Sequence, residues 1–186
     1  MKNHSYFIYL LVILILLNIN PLYSQRTKSS LSAGEQRSAE KGLKDNRYFF
    51  YFLNSSVSNL GTNEEKALYR EAVQRDLIAQ QLYMKFLFHE SFIEVRRSQK
   101  LLIDCYRLAL KRDINATGNL LNEFAAEILN GGDARSRNYL HLGYREREVA
   151  RQFFVMADNY RESLYSLRLY KYLKAIKNAK QAKRYA

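Results

Sequence analysis

A near absence of helix-breaking residues is what most constrains the fold of this chain. Its one proline is Pro21, and only seven glycines occur in 186 residues. Proline interrupts helices and glycine weakens them, so long stretches without either residue favour helices over a many-turned β fold. The sequence therefore predicts an all-α protein.

The first 24 residues are typical of an export signal. Lys2 precedes an uninterrupted apolar run at residues 6–17, and a polar segment that ends at Ser24 follows the run. The run is shorter than the roughly 20 residues that a membrane-spanning helix requires. We therefore predict a signal peptide over residues 1–24, with a retained N-terminal anchor as the alternative. No transmembrane span is expected in the mature chain, and the bacterial periplasm or exterior is the expected destination.

Composition divides the remaining chain into two parts. Residues 25–46 are polar and rich in Ser, Lys, Glu and Gln, which predicts a flexible leader, with a helix towards Lys44 as the alternative. A helical domain is predicted over residues 47–186. It begins with R-Y-F-F-Y-F-L at residues 47–53, an apolar run that fits either a buried strand or a helix buried on all sides. The helical patterns that flank it, and the lack of a partner strand, favour the helix.

An apolar stripe predicts a long amphipathic helix in the first half of this domain. Its members recur at steps of three, four or seven residues, which places them on one helix face. They are Leu68, Ala72, Ala79, Leu82 and Phe86. Near the end of the chain, a final helical pattern from about Glu162 is predicted to bury Leu169, Tyr172, Leu173 and Ile176.

Capping and turn residues predict where the helices begin and end. A capping box has Ser or Thr followed three residues later by Glu, and a glycine pair is a common stop signal. The predicted boundaries are the capping boxes Thr62–Glu65 and Ser91–Glu94, the turn D-I-N-A-T-G at 113–118, the stop at Gly131–Gly132 and the N-cap Asp133. They divide the domain into six or seven helices, which short loops join as antiparallel neighbours.

A small–large–small pattern marks the stretch after that N-cap. Ala150, Phe154 and Ala157 share one helix face, and Gly143 is predicted to separate their helix from a short helix that ends at Leu142. The hairpin resembles a tetratricopeptide-type repeat, a family with two antiparallel helices per unit and an Ala-x3-Phe-x2-Ala core. The resemblance covers about one unit, near residues 134–159. It implies a short α-solenoid of stacked helix pairs that binds a protein or peptide in a groove; a closed helical bundle is the alternative.

Residues that could carry chemistry are few and scattered. The histidines are His4, His89 and His141, and Cys105 is the one cysteine. No metal-binding or cofactor-binding motif is present, so we predict no metal site and no cofactor. The apolar helical context of Cys105 predicts a buried, unreactive thiol. Glu90 and the serine after it are similar to the catalytic Glu-Ser pair of lytic transglycosylases, but that family's Gly-Leu-Met-Gln segment is missing, and a non-enzymatic protein is predicted.

The last helix is strongly basic. The chain carries 30 Lys and Arg against 18 Asp and Glu, a formal net charge of +12, and no acidic residue follows Glu162. Basic residues recur at three-residue steps, which rotate each position by about 60° and so wind the charges around the helix. They are Arg168, Lys171, Lys174, Lys177, Lys180, Lys183 and Arg184. One interpretation is a polyanion-binding surface. The alternative is structural: cations are favoured at a helix C-terminus, and the tyrosines among them fill the contact between helices.

Two functional hypotheses follow. The helical hairpin, together with the lack of a catalytic constellation, favours an exported non-enzymatic scaffold that binds a protein or peptide partner. The acid-free helix at residues 163–186 favours a basic envelope protein instead. Such a protein would bind an anionic polymer, lipid or nucleic acid, or would hold unfolded clients through charge and tyrosine contacts.

Overall fold

The computed structural model describes residues 33–186, which form five α-helices. These helices are α1 (residues 33–60), α2 (Asn63–Met84), α3 (Phe88–Gly131), α4 (Ala134–Asn159) and α5 (Tyr165–Tyr185). No strand occurs in this part of the chain, so the all-α prediction is confirmed. Within the same residues, none of the helices is both long and apolar enough to cross a membrane. The predicted signal peptide at residues 1–24 lies outside the described residues and stays a prediction.

The longest helix, α3, is the axis of the fold. Its 44 residues extend over about 66 Å, and α1, α2, α4 and α5 all contact it. The first and last helices also contact each other, because Tyr170 donates a hydrogen bond to Asp45 at 2.9 Å. In a solenoid each unit contacts only its neighbours, whereas a contact between the two ends closes the arrangement. The contacts therefore favour the closed bundle that the sequence left as the alternative.

The core lies where α1, α3, α4 and α5 meet. The rings of Tyr106 and Tyr172 stack there with 6.2 Å between centroids, and the ring of Phe154 tilts against Tyr172 at 5.9 Å. The hydroxyl of Tyr106 donates to the carbonyl oxygen of Phe49 at 2.7 Å, so this fully buried phenol is paired. The helix predicted at residues 47–53 is confirmed, but its burial on all sides is wrong, because Tyr51 is 75% exposed and Tyr48 43% exposed. The buried face predicted for the last helix is confirmed.

The first helix extends into the segment that we predicted to be a flexible leader. Residues 33–46 are helical, and Ala39, Gly42 and Leu43 are buried. A Cβ at Gly42 would lie only 2.5 Å from Cγ1 of Val95, so α1 and α3 approach closely at this point. Small residues make the contact, and they carry little of the apolar signal that marks a core segment in a sequence. The bundle therefore begins before residue 47.

Two of the predicted helix boundaries are confirmed in detail. The hydroxyl of Thr62 accepts a hydrogen bond from the backbone N–H of Glu65 at 3.2 Å, as the N-cap of α2. Asp133 caps α4 in the same way, accepting from the N–H of Ser136 at 2.6 Å. The glycine stop before Asp133 is also present, since α3 ends at Gly131. Local capping chemistry was enough to identify these ends.

The capping box predicted at Ser91 is wrong. Helix α3 begins earlier, at Phe88, and the hydroxyl of Ser91 donates across the helix interface to the carbonyl oxygen of Ala79 at 2.8 Å. Glu94 does not reach back to a helix terminus either, because it forms ion pairs with Arg75 and Arg97. Both polar side chains are buried and join α3 to its neighbours, a role that a sequence cannot distinguish from capping.

The predicted turn D-I-N-A-T-G is also wrong, because α3 runs through it without a break. The hydroxyl of Thr117 donates to the carbonyl oxygen of Asp113 at 2.8 Å, and Arg147 of α4 donates to that of Ile114 at 3.0 Å. Gly118 makes room for this arginine, since a Cβ there would lie 2.6 Å from its guanidinium carbon. Residues that often form turns are here bonded within the helix or packed against α4.

The hairpin predicted within residues 134–159 is not formed. Gly143 lies in the middle of the single helix α4, where a Cβ would come within 2.6 Å of Cδ2 of Leu121. The two halves that resembled a tetratricopeptide unit are therefore one helix. Ala150 and Ala157 are fully buried and Phe154 is half-buried, so their shared face is real. With both internal boundaries absent, the predicted six or seven helices become five in the described residues.

Candidate binding surfaces

The seven basic residues predicted as a binding surface are divided among different environments, and Arg168 is not exposed. It is 9% exposed and donates from Nε to the carbonyl oxygen of Ala157 at 3.2 Å. Its Nη2 also lies 3.9 Å from the carboxylate of Asp158. Arg168 therefore joins the start of α5 to the end of α4, and this correction removes it from the candidate surface.

Lys180 is half-buried against α1. Its Nζ donates to the carbonyl oxygen of Phe52 at 2.9 Å and to the hydroxyl of Ser55 at 2.7 Å, both on α1. Burial lowers the pKa of Lys180 from its ordinary value, with a smaller contribution from the nearby charge of Arg184. Lys180 thus fastens α5 to α1, and the charges wind around the helix as three-residue steps require.

Three lysines on the exposed side of α5 lie over aromatic rings. Nζ of Lys171 and of Lys174 is 5.6 Å and 5.5 Å from the ring centroid of Phe153 on α4. On the other side, Nζ of Lys177 is 4.2 Å from the ring of Phe52 on α1, a distance suited to a cation–π interaction. We call this surface the basic ridge: Lys171, Lys174 and Lys177 with the rings of Tyr48, Phe52 and Phe153. The sequence identified the lysines but not their aromatic partners, which other helices supply.

The last turn of α5 packs on α4. Tyr185 stacks on Tyr139 with 6.0 Å between ring centroids. Lys183 and Arg184 are exposed beside it, and Arg184 donates to Gln181 at 3.4 Å. These two cations lie at the helix C-terminus, where the helix dipole favours positive charge.

The most exposed large apolar side chains lie at the connection between α2 and α3. Met84 and Phe86 are each 79% exposed, and Leu87 is 43% exposed. We call these three residues the apolar corner. The sequence predicted that Phe86 belongs to the buried apolar stripe of the long helix. That prediction is wrong, because α2 ends at Met84, two residues before Phe86. An exposed apolar cluster of this kind marks a candidate protein interface.

The backbone of the apolar corner is strained at Phe86, which has a φ of 61°. Leu87 N–H donates to the carbonyl oxygen of Leu82, and Phe86 N–H to that of Tyr83, both at 3.0 Å. This is the Schellman pattern, in which glycine normally occupies the left-handed position. Any other L-residue there costs about 1–2 kcal/mol. Phe86 therefore occupies a site that glycine would fill more stably.

A cavity of about 370 Å³ opens beside the apolar corner, between α1 and α2. Its apolar lining comes from Leu43, Tyr83 and Met84, and the basic side chains of Lys44 and Arg47 also line it, with Glu40 and Gln80 completing the wall. Such a volume accommodates a side chain or two of a bound protein segment. Apolar surface and positive charge thus adjoin at this end of the bundle.

Within the described residues, Cys105 does not form a catalytic pair with His89 or His141. Cys105 is fully buried in α3, and burial raises the pKa of its thiol to about 12, so the reactive thiolate is suppressed. His89 lies sixteen residues earlier in the same helix, about 24 Å away, and its Nδ1 is 3.0 Å from a carboxylate oxygen of Glu35. His141 is exposed on α4. The buried thiol agrees with the prediction from the sequence.

The remaining chemical candidates are also dispersed. Glu90 is exposed in the first turn of α3. Within residues 33–186, no three His, Cys, Asp or Glu side chains come together in a way that could hold a metal ion. The described structure therefore offers two surfaces for binding, the basic ridge and the apolar corner.

One comparison with known proteins gives a match. The model of a family described as surface protein adhesin OmpL37 matches residues 33–186, the same residues that form the five helices. No curated protein and no solved structure matches the chain. An adhesin is a surface protein that binds an external partner, so the match agrees with the coarse prediction of an exported binding protein.

Proposed function

The chain belongs to the surface protein adhesin OmpL37 family, and from this premise we propose that it is an exported, non-enzymatic adhesin whose protein partner docks on the apolar corner. The observation that carries the proposal is the state of Phe86, which combines a left-handed backbone with a side chain that is 79% exposed. Both features are unfavourable in an isolated protein, and both have a use at an interface.

The energies involved are substantial for one surface residue. The left-handed backbone costs about 1–2 kcal/mol for an L-residue. Leaving a phenyl ring in water forgoes about 1.5–3 kcal/mol relative to burying it. Strained residues persist mainly where a function requires them, and aromatic and Met side chains are enriched in the centres of interfaces. A bound partner would recover the second of these costs by covering Phe86 and Met84.

The surroundings of the apolar corner indicate the chemistry of the partner. Lys85 is exposed within it, and Lys44 and Arg47 line the neighbouring cavity against the single acidic residue Glu40. The net positive rim, and the formal charge of +12 on the whole chain, favour an acidic partner. The expected ligand is a protein segment with an apolar anchor flanked by Asp or Glu.

Replacing Phe86 with glycine should separate binding from folding. Affinity for an extracellular protein partner should fall at least about 30-fold, the loss of one interface hot spot of about 2 kcal/mol. The midpoint of thermal unfolding should stay the same or rise, because glycine adopts the left-handed conformation without strain. The measurement is surface plasmon resonance of the full chain over a panel of immobilised extracellular proteins, with circular dichroism melting.

A matched control is Leu129→Ser, because Leu129 is 61% exposed near the other end of α3 and lies outside the apolar corner. This variant should bind like the unmodified chain. Unchanged binding by a chain carrying both Phe86→Gly and Met84→Ser would contradict the proposal.

The basic ridge supports a second candidate function, the binding of an anionic polymer. The specific observation is that Lys171, Lys174 and Lys177 are held over aromatic rings, so their ammonium groups are positioned before any ligand arrives. Preorganised cations lose less side-chain entropy when an anionic chain binds. No acidic residue follows Glu162 in this helix to compete for them.

Reversing two of these charges provides the test. Lys174→Glu with Lys177→Glu should abolish retention on dextran sulfate and on polyglutamate. Affinity of the unmodified chain should fall about 10- to 40-fold between about 50 and 200 mM salt, as counter-ion release predicts for two or three contacts. Lys66→Glu with Arg70→Glu on α2 is the charge-matched control, since α2 and α5 do not touch in the described structure. Salt-insensitive retention, or equal loss in the control, would rule this function out.

A further inference from the structure

A separate cavity of about 330 Å³ lies between α1, the start of α3 and the N-terminus of α5. It does not share a lining residue with the apolar corner or with the basic ridge. Its wall contains Asp45 and Lys41 from α1 and Arg96 from α3, together with residues 163–167 at the beginning of α5. The volume is within the range of small-molecule sites.

The Asp45 carboxylate is incompletely paired. Asp45 is only 8% exposed, and its Oδ1 accepts a hydrogen bond from the hydroxyl of Tyr170 at 2.9 Å. Its Oδ2 is buried and has no hydrogen-bond donor among the described residues. A buried carboxylate oxygen without a donor is costly, so such oxygens are almost always paired in folded proteins. Asp45 is one of the residues that line the cavity.

Tyr170 holds the carboxylate in place without neutralising it. Burial, and then the hydrogen bond to Asp45, raise the pKa of Tyr170 to about 12, so the phenol keeps its proton and remains a donor. Asp45 therefore contributes to the cavity wall a carboxylate with one oxygen that no described residue pairs.

Arg96 contributes positive charge to the wall of the cavity. Nη1 of Arg96 donates to Gln99 at 2.8 Å, and the guanidinium lies 4.8 Å and 5.6 Å from the ring centroids of Phe92 and Tyr165. Burial lowers the pKa of Arg96, and the nearby Tyr165 and Asp45 act in the opposite direction. No side chain caps α5 at Leu164, so the first N–H groups of that helix face the same space with the positive end of its dipole.

We propose that this cavity binds a free α-amino acid, with the ligand ammonium group on Asp45 and the ligand carboxylate facing Arg96 and the first turn of α5. A ligand with only a negative charge would meet the unpaired oxygen of Asp45. A ligand with only a positive charge would meet Arg96 and Lys41. A zwitterion pairs its ammonium group with Asp45 and its carboxylate with Arg96. The rings of Phe92 and Tyr165 offer apolar surface to its side chain. This site is independent of the adhesin function, because it uses none of the residues of either binding surface.

Calorimetric titration of the full chain with individual L-amino acids tests the proposal. One or more amino acids should bind, and two matched probes of leucine shape show whether both charges are needed: isocaproate lacks the ammonium group and isoamylamine lacks the carboxylate. Each should bind at least about tenfold more weakly than the zwitterion, the value of one charge-assisted hydrogen bond. Failure of every amino acid to bind at millimolar concentration, or equal binding by isocaproate, overturns the proposal.

Asp45→Asn is the decisive variant. The amide oxygen still accepts from Tyr170, so the variant should fold with a melting temperature close to that of the unmodified chain, but amino-acid affinity should fall at least about tenfold. Glu40→Gln removes a carboxylate from the same helix outside this cavity and should leave affinity unchanged. Lys41→Gln at the exposed rim should weaken binding without affecting folding. Full binding by Asp45→Asn contradicts the assignment, whereas Phe86→Gly should retain the amino acid even if it loses the protein partner.

Discussion

Replacing Arg112 with methionine is expected to lower the free energy of unfolding by about 3–5 kcal/mol, because it leaves a buried carboxylate without its partner. Glu65, in the first turn of α2, is 2% exposed and pairs with Nη1 of Arg112 from α3. Nη2 of the same guanidinium donates to the carbonyl oxygen of Ser56 in α1 at 3.1 Å and to Asp113 at 2.9 Å. One side chain thus joins three helices, and methionine of similar length would keep the packing but none of the hydrogen bonds.

Urea denaturation followed by circular dichroism measures this effect. The matched control is Arg151→Met, which breaks an exposed pair with Glu148 on α4 and should leave the free energy of unfolding nearly unchanged. Adding Glu65→Gln to Arg112→Met should recover part of the loss, because the unpaired charge is removed. Equal destabilisation by the two arginine substitutions would show that the buried pair stabilises the fold no more than the exposed pair does.

Proline at position 143 is expected to destabilise the protein by about 3 kcal/mol or more, because α4 is continuous there. Proline lacks the N–H that bonds to the carbonyl four residues earlier, and its ring clashes with that carbonyl. Any side chain also meets Leu121, since a Cβ at Gly143 would lie 2.6 Å from Cδ2 of that residue. At the turn that the sequence predicted, the same substitution would have been mild.

Thermal melting and the helical signal at 222 nm report the outcome. Ala134→Pro is the control within the same helix, because Ala134 is its first residue and proline is well tolerated there. Near-native stability of Gly143→Pro would mean that the chain does bend at this glycine, as the hairpin prediction required.

The predictions from sequence that succeeded depend on neighbours along the chain. The cap at Thr62, the cap at Asp133 and the glycine stop between α3 and α4 are set by side chains within four residues of the backbone groups that they pair. The buried face from Leu169 to Ile176 follows from helical period alone. The buried state of Cys105 follows from its apolar flanks.

The predictions that failed depend on contacts between helices. Gly118 and Gly143 permit close approach to Arg147 and Leu121 instead of ending a helix, and a glycine has the same appearance in a sequence in either role. Ser91 bonds to a carbonyl of α2 instead of capping α3. In each case the deciding partner is distant in the chain, so no local pattern could reveal it.

The candidate surfaces also depend partly on local sequence and partly on contacts between helices. The acid-free run after Glu162 identified the lysines, but only the positions of α1 and α4 decide that Arg168 is buried, that Lys180 is fastened and that Lys171, Lys174 and Lys177 lie over rings. The apolar corner was missed because Phe86 continues a helical stripe in the sequence, whereas α2 ends two residues before it.

By itself, the sequence determined that the chain is helical, that Thr62 and Asp133 cap helices and that its last helix is basic. These properties arise from backbone propensity, capping and charge, which act over a few residues. Only the tertiary structure decided which glycines permit close contact between helices and which cations are exposed. Only the tertiary structure brought Asp45 and Arg96 to the same cavity. Those outcomes depend on burial and distance between helices, and both exist only once the five helices have packed together.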